Sequence, residues 1–88
     1  MIWKFPLSVI DKTVVAMPHS AQVLCVQVQN GMPYLWVIVR DTDAYKTTRT
    51  YSTYGTGQGH NEITGRYIGT YQLHDGAWVF HVFEEPTQ

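Results

Sequence analysis

Residues 22–40, QVLCVQVQNGMPYLWVIVR, read as a β-hairpin. Two runs rich in β-branched and aromatic residues flank Asn30-Gly31, the dipeptide that best tolerates the two positive φ angles of a type I′ turn. With that pair as the loop, Leu24 faces Val37, Val26 faces Leu35 and Val28 faces Pro33 on one side of the ribbon. Val23 with Ile38, Cys25 with Trp36 and Gln27 with Tyr34 take the other side, and a slip of one residue would exchange the two. Apolar groups on both sides predict strands covered twice, once by the rest of the chain and once by further protein such as another subunit.

A second hairpin follows from residues 66–84, around Asp75-Gly76. One face collects Tyr67, Gly69, Tyr71, Leu73, Trp78, Phe80 and Val82, the composition of a core face. The other carries Ile68, Thr70, Gln72, His74, Ala77, Val79, His81 and Phe83, which suits partial exposure or an interface. Gly69 falls opposite Val82 and leaves room for a bulky neighbour or a bulge. Residues 1–7 read as a short strand ended by Pro6 near a sheet edge, because proline donates no ladder hydrogen bond. Asp11-Lys12 suits a turn, residues 13–17 a strand, and Pro18-His19-Ser20 a break. Asp41-Thr42-Asp43-Ala44 is a polar connection, and residues 46–54 (KTTRTYSTY) have the Thr/Tyr composition of a strand with one polar face. Glu84-Glu85 reads as a solvated end, and residues 85–88 as a frayed tail.

About seven strands at short spacing, with no convincing helix, predict an all-β fold: a small antiparallel sandwich or partly open barrel with two type I′ hairpins. Eighty-eight residues make one domain, 1–88, since a second core would have too little surface to bury. A chain this short buries about 60–65 % of its unfolded surface, so assembly into a homo-oligomer would add needed stability. The aromatic share of 14 % favours half-buried surfaces and interfaces. Six Lys and Arg against seven Asp and Glu give a net charge of −1, which is no footprint for duplex DNA. No apolar run approaches the ~20 residues of a membrane span and no secretory segment opens the chain, so no membrane role and a cytosolic location are expected. The lone Cys25 sits in a strand and reads as a buried, reduced thiol.

Four histidines, His19, His60, His74 and His81, lack the close spacing of a zinc site. His74 and His81 share a face but lie four strand positions apart, roughly 13 Å, too far for one ion. No metal and no cofactor are expected. Nor does any nucleophile elbow or ordered triad appear, so enzymatic activity is the minority reading. The segment from Gly55 to Gly65 (GTGQGHNEITG) holds four glycines in eleven residues and is a candidate ligand-gripping loop. Backbone N–H groups at Gly55, Gly57 and Gly59, with His60, could converge on an anion, although neither the P-loop nor the dinucleotide fingerprint is matched. Arg49 before the loop and Arg66 after it could pair with phosphates, and Tyr51 or Tyr54 could stack on a base.

VQVQNGMPYLWVIV (26–39) and RYIGTYQLHDGAWVFHVFE (66–84), with GTG after the Thr/Arg/Tyr strand, resemble a family of short bacteriophage and prophage proteins. The resemblance implies expression in the cytoplasm of a bacterial host and supplies no catalytic motif. By analogy with small phage proteins that sequester nucleotide messengers of bacterial immunity, it implies capture of a small nucleotide-like ligand without cleavage. A protein-interaction module built on Val79, His81 and Phe83 is the alternative. A phosphodiesterase-like enzyme using His60 or His81 is the third.

Overall fold

The computed structural model describes residues 1–9, 11–42, 45–59 and 62–86. Seven strands follow one another: β1 (Ile2–Pro6), β2 (Asp11–Pro18), β3 (Gln22–Gln29), β4 (Met32–Ile38), β5 (Lys46–Gly55), β6 (Arg66–Leu73) and β7 (Trp78–Glu84). All neighbours are antiparallel, in a three-stranded sheet β1-β4-β3 and a four-stranded sheet β2-β5-β7-β6. The sheets do not close into a barrel, and their inner faces share one core, the arrangement of a small β-sandwich. Val26, Leu35, Val37 and Val39 supply it from the first sheet, and Val15, Met17, Tyr51, Tyr71 and Val82 from the second. β1 lies at a sheet edge as Pro6 requires, with Trp3 and Phe5 turned to the core and Ile2 and Lys4 outward. Asp11 and Lys12 belong to β2 itself rather than to a turn before it.

Both glycine turns form as expected. Asn30 and Gly31 sit at φ 53° and 77°, and Asp75 and Gly76 at 56° and 86°, the left-handed pairs of a type I′ hairpin. His74 adds a third left-handed residue (φ 53°) ahead of the second turn. From each turn outward the predicted register holds for several residues, through Cys25↔Trp36 in one hairpin and Gly69↔Val82 in the other.

Beyond those points each hairpin departs from the simple pairing by one residue. Leu24 bulges out of β3, so Val23 rather than Leu24 faces Val37, and Gln22 faces Ile38. Leu24 is consequently exposed while Val37 is buried, which corrects the expectation that the two share a face. Ile68 bulges out of β6 in the same way, so Tyr67 rather than Ile68 faces Phe83. Ile68 then packs against the core, and Tyr67 turns outward to meet Phe83 edge-on at 5.6 Å. Tyr67 and Trp78, both assigned to the core face from alternation, are exposed.

Gly69 follows the β6 bulge and explains how the sheets approach there. A Cβ built on it would lie 3.5 Å from both the Cβ and the backbone nitrogen of Val26 in β3. One methyl group would just fit, and anything larger would push the two strands apart. We therefore expect Gly69→Ala to leave stability within about 1 kcal/mol of the parent, and Gly69→Leu to lower it by about 2–3 kcal/mol through overpacking. Urea unfolding of the two variants checks this; equal effects would show that the contact does not limit the sheet separation.

Candidate functional site: a groove beside the start of β5

A groove of about 870 Å³ runs past the start of β5 and the end of β7, lined by His19, Gln22, Arg49, Arg66, Glu84 and Glu85 among others. Antiparallel pairing puts these residues together, because Tyr51 and Arg66 both lie across from Glu84. A cleft of about 600 Å³ that shares Arg49 and Glu85 extends it toward Lys12 and Thr64.

Two carboxylates, assigned above to a solvated end, organise the groove floor. Glu84 accepts a hydrogen bond from the Tyr51 hydroxyl at 2.7 Å and lies 3.9 Å from the Arg49 guanidinium. Arg49 also donates to the backbone carbonyls of His19 (3.2 Å) and Ala21 (2.9 Å), fastening the turn between β2 and β3 to β5. Burial, reinforced by the neighbouring Glu84 carboxylate, pushes the Tyr51 phenol well above its ordinary pKa. Glu85 accepts bonds from the hydroxyls of Ser52 and, at 2.8 Å, Thr64. Those hydroxyls, Ser52 first, hold its carboxyl below the usual range, with smaller help from Lys12 and Tyr54.

The structure divides the residues singled out as ligand contacts. Arg49 and Arg66 do meet in one groove. Tyr51 does not offer a ring there: it is fully buried in the core and tied to Glu84. Tyr54 rests edge-on against Phe83 at 5.7 Å. Gly55 lies across from Phe80 whereas Tyr51 lies across from Glu84, so four strand positions, roughly 13 Å, separate the glycine loop from the groove. Several of the loop amides are engaged within the fold. Gly55 N–H donates to Gln58 Oε1 (3.1 Å), Thr56 N–H to the Val79 carbonyl (3.0 Å) and Gln58 N–H to the Gly55 carbonyl (3.3 Å). Gly57 is left-handed (φ 82°), Gly59 is exposed, and His60 lies outside the described residues, as does Asp43 of the polar connection. The loop instead borders an apolar recess of about 470 Å³ with Trp78, Val79 and Phe80.

His81 sits on the outer face of the four-stranded sheet in a chain of hydroxyls. Thr56 Oγ1 lies 2.6 Å from its Nε2, Thr70 Oγ1 3.0 Å from its Nδ1, and the Tyr67 hydroxyl 2.6 Å from Thr70. Among the described residues no group of three or more His, Cys, Asp or Glu is placed to hold a metal ion.

Sequence reading missed a pair of rings beside the groove. His19 lines it, and Tyr45 stacks on His19 with centroids 4.8 Å apart and planes 21° from parallel. A backbone bond from His19 N–H to the Tyr45 carbonyl, 2.9 Å, brings the break at Pro18-His19-Ser20 to Tyr45, which falls between the polar connection and the strand at 46–54. The local signal was an aromatic ring in the break at residues 18–20 and another at residue 45, just before the strand at 46–54.

No curated protein and no solved structure matches the chain. A family model described as a domain of unknown function (DUF7352) matches residues 1–88, and the chain belongs to that family.

The two arginines should separate in stability measurements. Arg49→Ala leaves two backbone carbonyls and Glu84 without their cationic partner and should cost about 2–3 kcal/mol, while exposed Arg66→Ala should stay within about 0.5 kcal/mol. Denaturant titration of both variants tests the division. Glu85 predicts an acid dependence: its folded pKa is depressed, so its contribution is present above the ordinary carboxylate pKa and is lost as pH falls through the folded value. Unfolding followed from neutral pH downward should show that loss in the parent and a flatter profile in Glu85→Gln.

Proposed function

We propose that this member of the DUF7352 family is a small binding protein that captures a phosphorylated, nucleotide-like molecule in the groove beside Arg49 and Arg66 and holds it unchanged. The observation that supports the reading is the convergence of the two arginines, seventeen positions apart in sequence (66 − 49), on one open groove whose volume can take a small molecule. Their roles differ. Arg49 is fixed by two carbonyls and Glu84, so it shapes the wall and contributes field, whereas exposed Arg66 can turn its planar fork onto a phosphate. The tied-back glycine loop plays no part in this version of the site.

The bacteriophage resemblance extends the proposal to sequestration of a nucleotide signal of anti-phage immunity, by a homo-oligomer in the cytoplasm of the bacterial host. Apolar surface on the outer face of the β1-β4-β3 sheet supports the oligomeric part. There Lys4 Nζ lies 4.5 Å from the centre of the Tyr34 ring, with Trp36 beside it and Ile2 exposed at the margin. The second reading, a protein-interaction module, draws instead on the outer face of the other sheet, where Phe83 meets Tyr54 and Tyr67 edge-on beside His81.

Native mass spectrometry of freshly purified protein, followed by heat release and analysis of the supernatant, tests the proposal. We expect an intact phosphorylated small molecule bound at a fixed ratio to subunits, and at least tenfold lower retention in Arg66→Ala. A protein that retains no phosphorylated compound from lysate or from a nucleotide panel would refute it.

A further inference from the structure

The charge of the groove and the ring stack at its edge narrow the ligand, and this step rests on the binding reading above. We infer that the His19–Tyr45 ring stack is a subsite for a planar purine base, and that the groove takes a purine nucleotide bearing one phosphate rather than a polyphosphate. Two planar rings lie nearly parallel at 4.8 Å where His19 enters the groove wall, and Tyr45 is 67 % exposed. An exposed aromatic stack of this kind gains by burying its open face against a third flat ring.

The stack is also held in place before any ligand arrives. His19 donates its backbone N–H to Tyr45 and accepts on its backbone carbonyl from Arg49, so the turn that carries the imidazole is fixed from both sides. A backbone fixed in this way carries the ring at a set position, so less ordering is left for a base to impose.

Charge sets the phosphate count. The groove brings Arg49 and Arg66 together with Glu84 and Glu85, two cations against two carboxylates. Arg49 is already opposed by Glu84 at 3.9 Å and Lys12 of the adjoining cleft acts on Glu85, which leaves Arg66, among the described residues lining the groove, as the cation facing a ligand. A single guanidinium matches one phosphate bidentately, whereas a triphosphate would place its additional charges near Glu84 and Glu85. The same carboxylates can accept hydrogen bonds from sugar hydroxyls or an exocyclic amino group, donors that a nucleoside carries and inorganic phosphate does not.

Titration calorimetry with adenosine monophosphate, adenosine triphosphate and ribose 5-phosphate separates the contributions. We expect the monophosphate to bind at least tenfold more tightly than either of the other two. His19→Ala and Tyr45→Ala should each weaken adenosine monophosphate about tenfold and leave ribose 5-phosphate unchanged. Tyr45→Phe, which keeps the ring, should restore binding, and unfolding curves should confirm that the variants remain folded. His19→Ala retains the carbonyl that Arg49 grips. Arg66-dependent binding of adenosine monophosphate that is indifferent to both ring deletions, or equal binding of ribose 5-phosphate, overturns the base subsite while leaving the groove reading intact. Tighter binding of the triphosphate overturns the one-phosphate assignment. Binding of none of the three probes, with no effect of Arg66→Ala on retention from lysate, overturns the groove reading and the subsite together.

Discussion

The close approach of β3 to β6 at Gly69 and Val26 is the constraint to which the rest of the sandwich is fitted. Stacked sheets ordinarily sit about 10 Å apart, and a residue without a side chain lets two backbones come nearer. Each of these strands also carries a bulge close to the contact, at Leu24 and at Ile68. A bulge re-phases the alternation of side chains beyond it. Val23 and Ile68 thereby join the core, and Leu24 and Tyr67 are released to the surface. Without those shifts Leu24 and Tyr67 would take the inward positions that Val23 and Ile68 occupy.

A second set of interactions ties the two sheets together where the chain crosses between them. Arg49 reaches from β5 to the carbonyls of the turn that leads into β3, and Glu84 of β7 answers it while accepting from Tyr51. A buried phenol, a carboxylate and a guanidinium are costly to desolvate singly, and they are tolerable here because each meets a partner. The Tyr71 hydroxyl contrasts with them. It is buried with no hydrogen-bond partner among the described residues, and burial raises its pKa to about 12. The Tyr71 ring lies against Phe80 at 5.4 Å, and packing of the ring sets its position.

Much of this architecture was legible because two Asn/Asp-Gly steps carry the conformational demand of their turns in the dipeptide itself. The strands on either side, their number and the absence of helix among the described residues followed from composition and spacing. The bulges were harder to read. Val23, Leu24 and Cys25 are consecutively apolar, as are Tyr67 and Ile68, so alternation cannot say which of them faces inward. Only Gly69 hinted at an irregularity, by leaving space opposite Val82. At the groove, the convergence of Arg49 and Arg66 was visible as flanking charge, but Tyr51 was taken for a surface ring when its central strand buries it. Glu84 and Glu85 looked like a hydrated terminus because their partners, Tyr51, Ser52 and Thr64, are supplied by pairing between distant segments. His19 and Tyr45 were hidden for the same reason.

The four outermost strands share a property that bears on how copies of this chain can associate. β1 ends on a proline that lacks an amide hydrogen, and β2 opens with a left-handed Asp11 and closes on Pro18. β3 and β6 are kinked by their bulges. Each rim therefore makes a poor template for a neighbouring strand, and open-ended growth into fibrils is discouraged on every side of the molecule. Any contact between copies is thereby left to the flat faces of the sheets, a geometry that can close into a finite particle.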